Sequence, residues 1–186
     1  MAELSTKESA PQASPKPWWE ERLTTYVAVT AVILAVCATL ATFKAAGYGN
    51  RMVMSQSQAS DQWAYYQAKS IKETQYQVQR DVIALVSQQM GTNPAVQERL
   101  DAYQKEVSRY KQEKDEIMQE AKRLESLRDI SQELSSEIGK AIIMLQIGIL
   151  LTSLAAINKT AYFWFMGMGS GGVGIIMFVL AMLKTV

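Results

Sequence analysis

The sequence predicts an all-α membrane protein with three transmembrane helices and a long antiparallel coiled-coil hairpin between the first and second. Three observations carry this. Residues 23–43, 141–157 and 161–183 are uncharged and strongly apolar. The intervening segment, 44–140, is polar and spaces its apolar residues at helical-heptad intervals. A turn signal, Gly91-Thr92-Asn93-Pro94, divides that segment into two arms of similar length.

The first tract, Leu23 to Phe43, lies between Arg22 and Lys44 and holds 21 residues. At ~1.5 Å per residue it spans about 30 Å, the thickness of bilayer hydrocarbon. Trp18, Trp19 and Tyr26 mark one interface, where amphipathic rings settle. Small residues at Ala31, Ala35 and Thr39, and at Ala38 and Thr42, offer close helix contact in lipid. Residues 1–22 read as a flexible tail, with Pro11, Ser14, Pro15 and Pro17 as breakers. The apolar run begins too late, and runs too long, for a cleaved secretory signal.

Gly91 suits the left-handed conformation that closes a helix, and Asn93 and Pro94 suit the cap and first position of the next. In the first arm, Ala64, Ile71, Val78 and Leu85 recur every seventh residue. Ala68, Gln75, Val82 and Gln89 fill the companion positions, so this set predicts the seam. The second arm carries a stronger one: Val96, Leu100, Tyr103, Val107, Tyr110, Lys114, Ile117, Ala121 and Leu124. Leu127, Ile130, Leu134 and Ile138 continue it on a shifted face, resembling a stutter. Gly47 and Gly49 suggest a flexible joint before the first arm, since glycine weakens a helix by about 1 kcal/mol relative to alanine.

The second tract, 141–157, is short for a span. Gly148, Thr152 and Ala156 form a small-residue stripe, and the Gln146 amide is expected to face another helix because lipid leaves it unpaired. Asn158, Lys159 and Thr160 alone separate it from the third tract, which forces a tight hairpin. The third tract opens with Tyr162, Phe163, Trp164 and Phe165, an aromatic belt. Gly169, Gly171 and Gly174 match a dinucleotide-binding string only formally, because no strand precedes them. Gly167, Gly171 and Gly174 instead read as a helix-packing face.

Composition narrows function. The chain has 186 residues, 19 Lys/Arg, 18 Asp/Glu and no histidine. Residues 51–140 hold 13 Lys/Arg and 14 Asp/Glu, so no basic excess exists to meet nucleic-acid phosphate. Without histidine, Ser-His-Asp and Cys-His catalysis and His-based metal sites are excluded in their usual forms. Cys37, the single cysteine, lies in an apolar tract and forms no intrachain disulfide. No carboxylate pair stands out as acid and base. The expectation is therefore no enzyme, with no catalytic, cofactor or metal residues.

The segment Ala59-Ser60-Asp61-Gln62-Trp63-Ala64-Tyr65-Tyr66-Gln67-Ala68-Lys69-Ser70-Ile71-Lys72 resembles the signature of an uncharacterised bacterial membrane-protein family, domain of unknown function four-three-three-seven. The resemblance runs from Leu23 to the end and excludes the tail. It implies this same helical plan and no established activity. Within the segment, Trp63, Tyr65, Tyr66, Gln67, Lys69 and Ser70 form a candidate interaction patch, because Trp and Tyr dominate interface energetics. The alternative is that these aromatics pack inside the hairpin.

The tyrosines and Trp63 would be too exposed on an isolated two-helix arm. This predicts a homo-oligomer that partners the lipid bilayer, with room for an unidentified protein partner. The function expected is a membrane-anchored, self-associating coiled-coil scaffold or interaction protein. An oligomeric channel or transport subunit for a small solute or ion is the alternative, weakened by the absence of ionisable residues from the tracts. Lys7, Lys16, Arg22 and Lys159 against Lys184 favour a cytoplasmic amino terminus and a periplasmic hairpin in a bacterial inner membrane.

Overall fold

The computed structural model describes residues 18–91 and 93–184, with backbone alone for 18–21 and 90. Among them are three helices and no strand: α1 (Trp18–Met90), α2 (Pro94–Asn158) and α3 (Ala161–Leu183). Each contains a stretch long and apolar enough to cross a membrane. The expected tail stops short of residue 22, because 18–22 belong to α1; residues 1–17 lie outside the described residues. So do the side chains of Trp18 and Trp19. Gly47 and Gly49 sit within α1, which does not break at either.

The described helices form two compact units: an apolar one (18–41 with 140–184) and a hairpin (Thr42–Gly139). In the apolar unit, α2 and α3 run antiparallel and meet through glycine. A Cβ at Gly148 would lie 2.9 Å from the Gly167 carbonyl oxygen and 2.9 Å from the Gly171 nitrogen. One at Gly174 would lie 2.8 Å from Leu145 Cγ. These backbones approach only because no side chain intervenes, the principle behind small-residue helix contacts. Thr152 is fully buried, and its hydroxyl donates to the Gly148 carbonyl at 2.7 Å, leaving no unpaired polar atom. Ala155 is buried where the sequence pointed to Ala156, which is exposed.

The first stretch of α1 lies along α3. Leu34 packs into the space above Gly171, where a Cβ would meet its Cδ2 at 2.5 Å. Trp164 Nε1–H donates to Thr30 Oγ1 at 3.2 Å, and its ring stacks 6.4 Å from Tyr26. The buried face is Val27, Leu34, Ala38 and Ala41. Of the two expected small-residue series it keeps Ala38 and half-buries Ala31, while Ala35, Thr39 and Thr42 are exposed. Gln146 also departs from expectation, since it is exposed on α2 and makes no hydrogen bond to another helix among the described residues.

In the hairpin unit the two arms exchange contacts in antiparallel order. The turn forms as its residues dictate. Gly91 adopts φ +87°, in the left-handed region. Asn93 Oδ1 accepts from the Ala95 nitrogen at 3.1 Å, capping α2, whose first residue is Pro94. The second-arm seam is buried or half-buried from Val96 to Leu124. Beyond it Ile130 is exposed and Ser131 is buried, so the face shifts differently from the expected stutter. The Ser131 hydroxyl donates to Leu127 at 2.7 Å, which makes its burial tolerable.

The first arm is turned over relative to the sequence expectation. The set Ala64, Ile71, Val78 and Leu85, with Ala68, Gln75, Val82 and Gln89, faces outward throughout. The inner face runs through Met52, Ser55, Ala59, Gln62, Tyr66, Lys69, Glu73, Tyr76, Arg80 and Ile83, again at alternating three- and four-residue steps. This face is small near Ser55 and Ala59, then aromatic and charged. It beats the aliphatic one because its rings and ion pairs find partners on α2.

Candidate functional site

The candidate patch splits between the two sides of α1. Trp63, Tyr66, Lys69 and Ser70 lie toward α2 and are half-buried, whereas Tyr65 and Gln67 are exposed. Trp63 Nε1–H donates to Glu125 Oε1 at 2.9 Å, and its ring meets Tyr66 edge-on at 5.6 Å. Lys69 Nζ reaches Glu113 Oε2 at 2.5 Å and lies 5.3 Å from the centre of the Tyr110 ring. Four residues along, the charges reverse: Lys114 Nζ reaches Glu73 Oε2 at 2.6 Å and Ser70 Oγ at 3.4 Å. Tyr76 then lies 5.8 Å from Tyr103 and 5.7 Å from Tyr110.

This ladder fixes register. Lys69 and Glu73 are one helical turn apart on α1, and Glu113 and Lys114 adjoin on α2. Sliding one arm by one turn would set Lys69 toward Lys114 in one direction, or Glu73 toward Glu113 in the other, in a partly shielded setting where like charges repel strongly. Lys114 was legible as a seam position, whereas Glu113 and Glu125 carry no motif and were invisible as partners in the sequence. For those two, the available signal was the alternation of Lys69 and Glu73 at i,i+4.

The electrostatics follow the pairing. The hydrogen bond to Glu113 holds the Lys69 ammonium above its ordinary 10.5, with Tyr65 adding. The same bond holds the Glu113 carboxyl below its ordinary 4.5. Glu73 raises Lys114 in the same way. These shifts favour the charged forms, as expected for satisfied ion pairs. Each of these three shifts carries its group away from neutrality. Among the described residues, no cluster of three or more His, Cys, Asp or Glu could hold a metal ion.

Two features are exposed and chemically unsatisfied. The first is the aliphatic stripe of α1, where Ile71, Val78, Val82 and Leu85 are 69%, 54%, 53% and 63% exposed. The second is Gln146, which has no hydrogen-bonding partner among the described residues. The apolar unit's membrane-packing candidates fare better: Gly148, Thr152, Gly167, Gly171 and Gly174 converge on the α2–α3 contact, and only Ala156 lies off it.

The class defined so far is an all-helical protein, with a polar hairpin and three helices able to cross a membrane. A family model described as Domain of unknown function (DUF4337) matches residues 23–184, and the chain belongs to that family. This agrees with the resemblance carried by Ala59–Lys72. No curated protein and no solved structure matches the chain.

Proposed function

We propose that this protein is a membrane-anchored scaffold that associates with further copies of itself through its helical hairpin. The observation that carries the reading is the outward aliphatic stripe on α1. Burying each such side chain is worth about 1.5–3 kcal/mol, so a polar hairpin that aligns four large exposed ones on one outer stripe has a surface shaped for a partner. The aromatic residues, the sequence-level ground for association, support it less: Trp63, Tyr66, Tyr76, Tyr103 and Tyr110 find cover within the hairpin. Gln146 adds an independent reason. An amide facing hydrocarbon without a partner is costly, and a second copy supplies one.

A solute pathway draws less support, because no Asp, Glu, Lys or Arg lies in the apolar tracts and Ser153, on the Gln146 side, already donates to the Ile149 carbonyl. The charges of the short segments favour a cytoplasmic amino terminus, with the hairpin on the far side of a bacterial inner membrane. A reporter active only outside the cytoplasm, fused at the turn, should therefore be active; silence in a well-expressed fusion reverses the orientation.

The test of association is co-purification of two differently tagged copies expressed together. One tag should recover the other. The recovery should fall at least ~10-fold when Val78 and Val82 are both replaced by Lys, because the charges are then desolvated at the contact. Recovery of a single tag from the wild-type pair would refute the reading.

A further inference from the structure

We infer that the outer stripe of α1 pairs with the same stripe of one second copy, parallel and in register, about a two-fold axis. This rests on the self-association reading and adds the partner's identity, direction and alignment. Three observations lead to it. The first is spacing. From Ala64 to Gln89 the stripe advances in alternating four- and three-residue steps, the repeat that keeps one helix face on another helix over several turns. It lies about 200° around α1 from the face that meets α2, so both contacts can exist at once.

The second is self-compatibility. Two-fold pairing sets each residue against its own copy, which penalises charge and rewards groups that complement themselves. Ala64, Ile71, Val78, Val82 and Leu85 are apolar. The two polar members, Gln75 and Gln89, carry carboxamides that both donate and accept, so each can bond its equivalent. A polar pair inside an apolar seam pins register and limits the assembly to few strands. The flanks agree: a parallel pair sets Gln67 beside Lys72 of the second copy, Thr74 beside Gln79, and Asp81 beside Val86, with no like charges together.

The third is direction. Copies inserted into one bilayer share an orientation, so equivalent helices related by an axis along the membrane normal run the same way. An antiparallel pair would need copies of opposite topology.

Single cysteines placed in the stripe of the full-length chain, in a Cys37→Ala background, test this in native membranes. Ile71→Cys and Leu85→Cys should each give, on mild oxidation, a band at twice the chain's mass that reductant removes. Lys111→Cys, on the exposed side of α2, should not. Gln75→Lys should remove the band from the Ile71→Cys chain, by setting two ammonium groups face to face. If only a mixture of the Ile71→Cys and Leu85→Cys chains links, the pair is antiparallel and the inference fails. If neither links while differently tagged copies still co-purify, the stripe is not the contact; the inference fails and self-association stands. If the copies do not co-purify, both fail. Cross-links only to a chain of different mass also overturn it.

Discussion

At Gly148 one added methyl would meet two backbone atoms of α3, the Gly167 oxygen and the Gly171 nitrogen, each at 2.9 Å. Neither can rotate away, so Gly148→Ala must push the helices apart. Overpacking of this kind costs about 1–3 kcal/mol. Gly169, by contrast, has nothing within 4 Å of the place a methyl would occupy. Gly169→Ala should therefore leave thermal unfolding in mild detergent unchanged or slightly later, while Gly148→Ala lowers the midpoint. Equal effects would show that glycine content, not this contact, matters. These residues were legible in sequence, because a small side chain at four-residue spacing has one common use between apolar helices. Gln146 was half-legible. Its cost in lipid was evident, but which side of α2 it occupies depends on where α1 and α3 pack, and no residue near Gln146 records that.

At the scale of the helices, the hairpin depends on charge as well as burial, so its stability should respond to pH. Glu113 is held below 4.5, so its contribution is complete above that value and is lost as pH falls through its lowered folded value. Lys69 and Lys114 are held above 10.5, so theirs is complete below that value and is lost as pH rises through the raised ones. The thermal midpoint should be flat between these limits and fall outside them. Glu113→Gln should lower the plateau and flatten part of the acid decline; an unaltered acid limb would remove Glu113 from the account. The two arms differ in legibility for the same physical reason. On α2, Val107, Ile117, Ala121 and Leu124 announce their buried face by apolarity. On α1, apolarity marks the opposite face. Lys69 and Glu73 look solvated when read alone, and α2 supplies Glu113 and Lys114 to satisfy them; Arg80 pairs with Asp81 on its own helix and reaches Gln104 on α2. A pattern of hydrophobicity reports what must be covered, not by which partner.

For the whole molecule, this difference turns a misassigned seam into the ground for association. One face of α1 is satisfied within the chain by rings and ion pairs; the other carries Ile71, Val78, Val82 and Leu85 into solvent. The proposed self-association would cover that face with a surface present at equal concentration wherever the protein is. It would also give the hairpin the additional core that a two-helix arm lacks. The number of helices, the turn and the three apolar tracts could be read from residue chemistry alone, because each is a local property. The direction of the α1 faces could not, because it is settled by contacts between residues 40 or more positions apart. The most direct test of the central claim is the native mass of the full-length chain released from membranes in mild detergent. The account predicts a particle of two copies that becomes a single copy when Val78 and Val82 are replaced by Lys. A wild-type particle of one copy, at every detergent concentration that keeps the chain in solution, would contradict it.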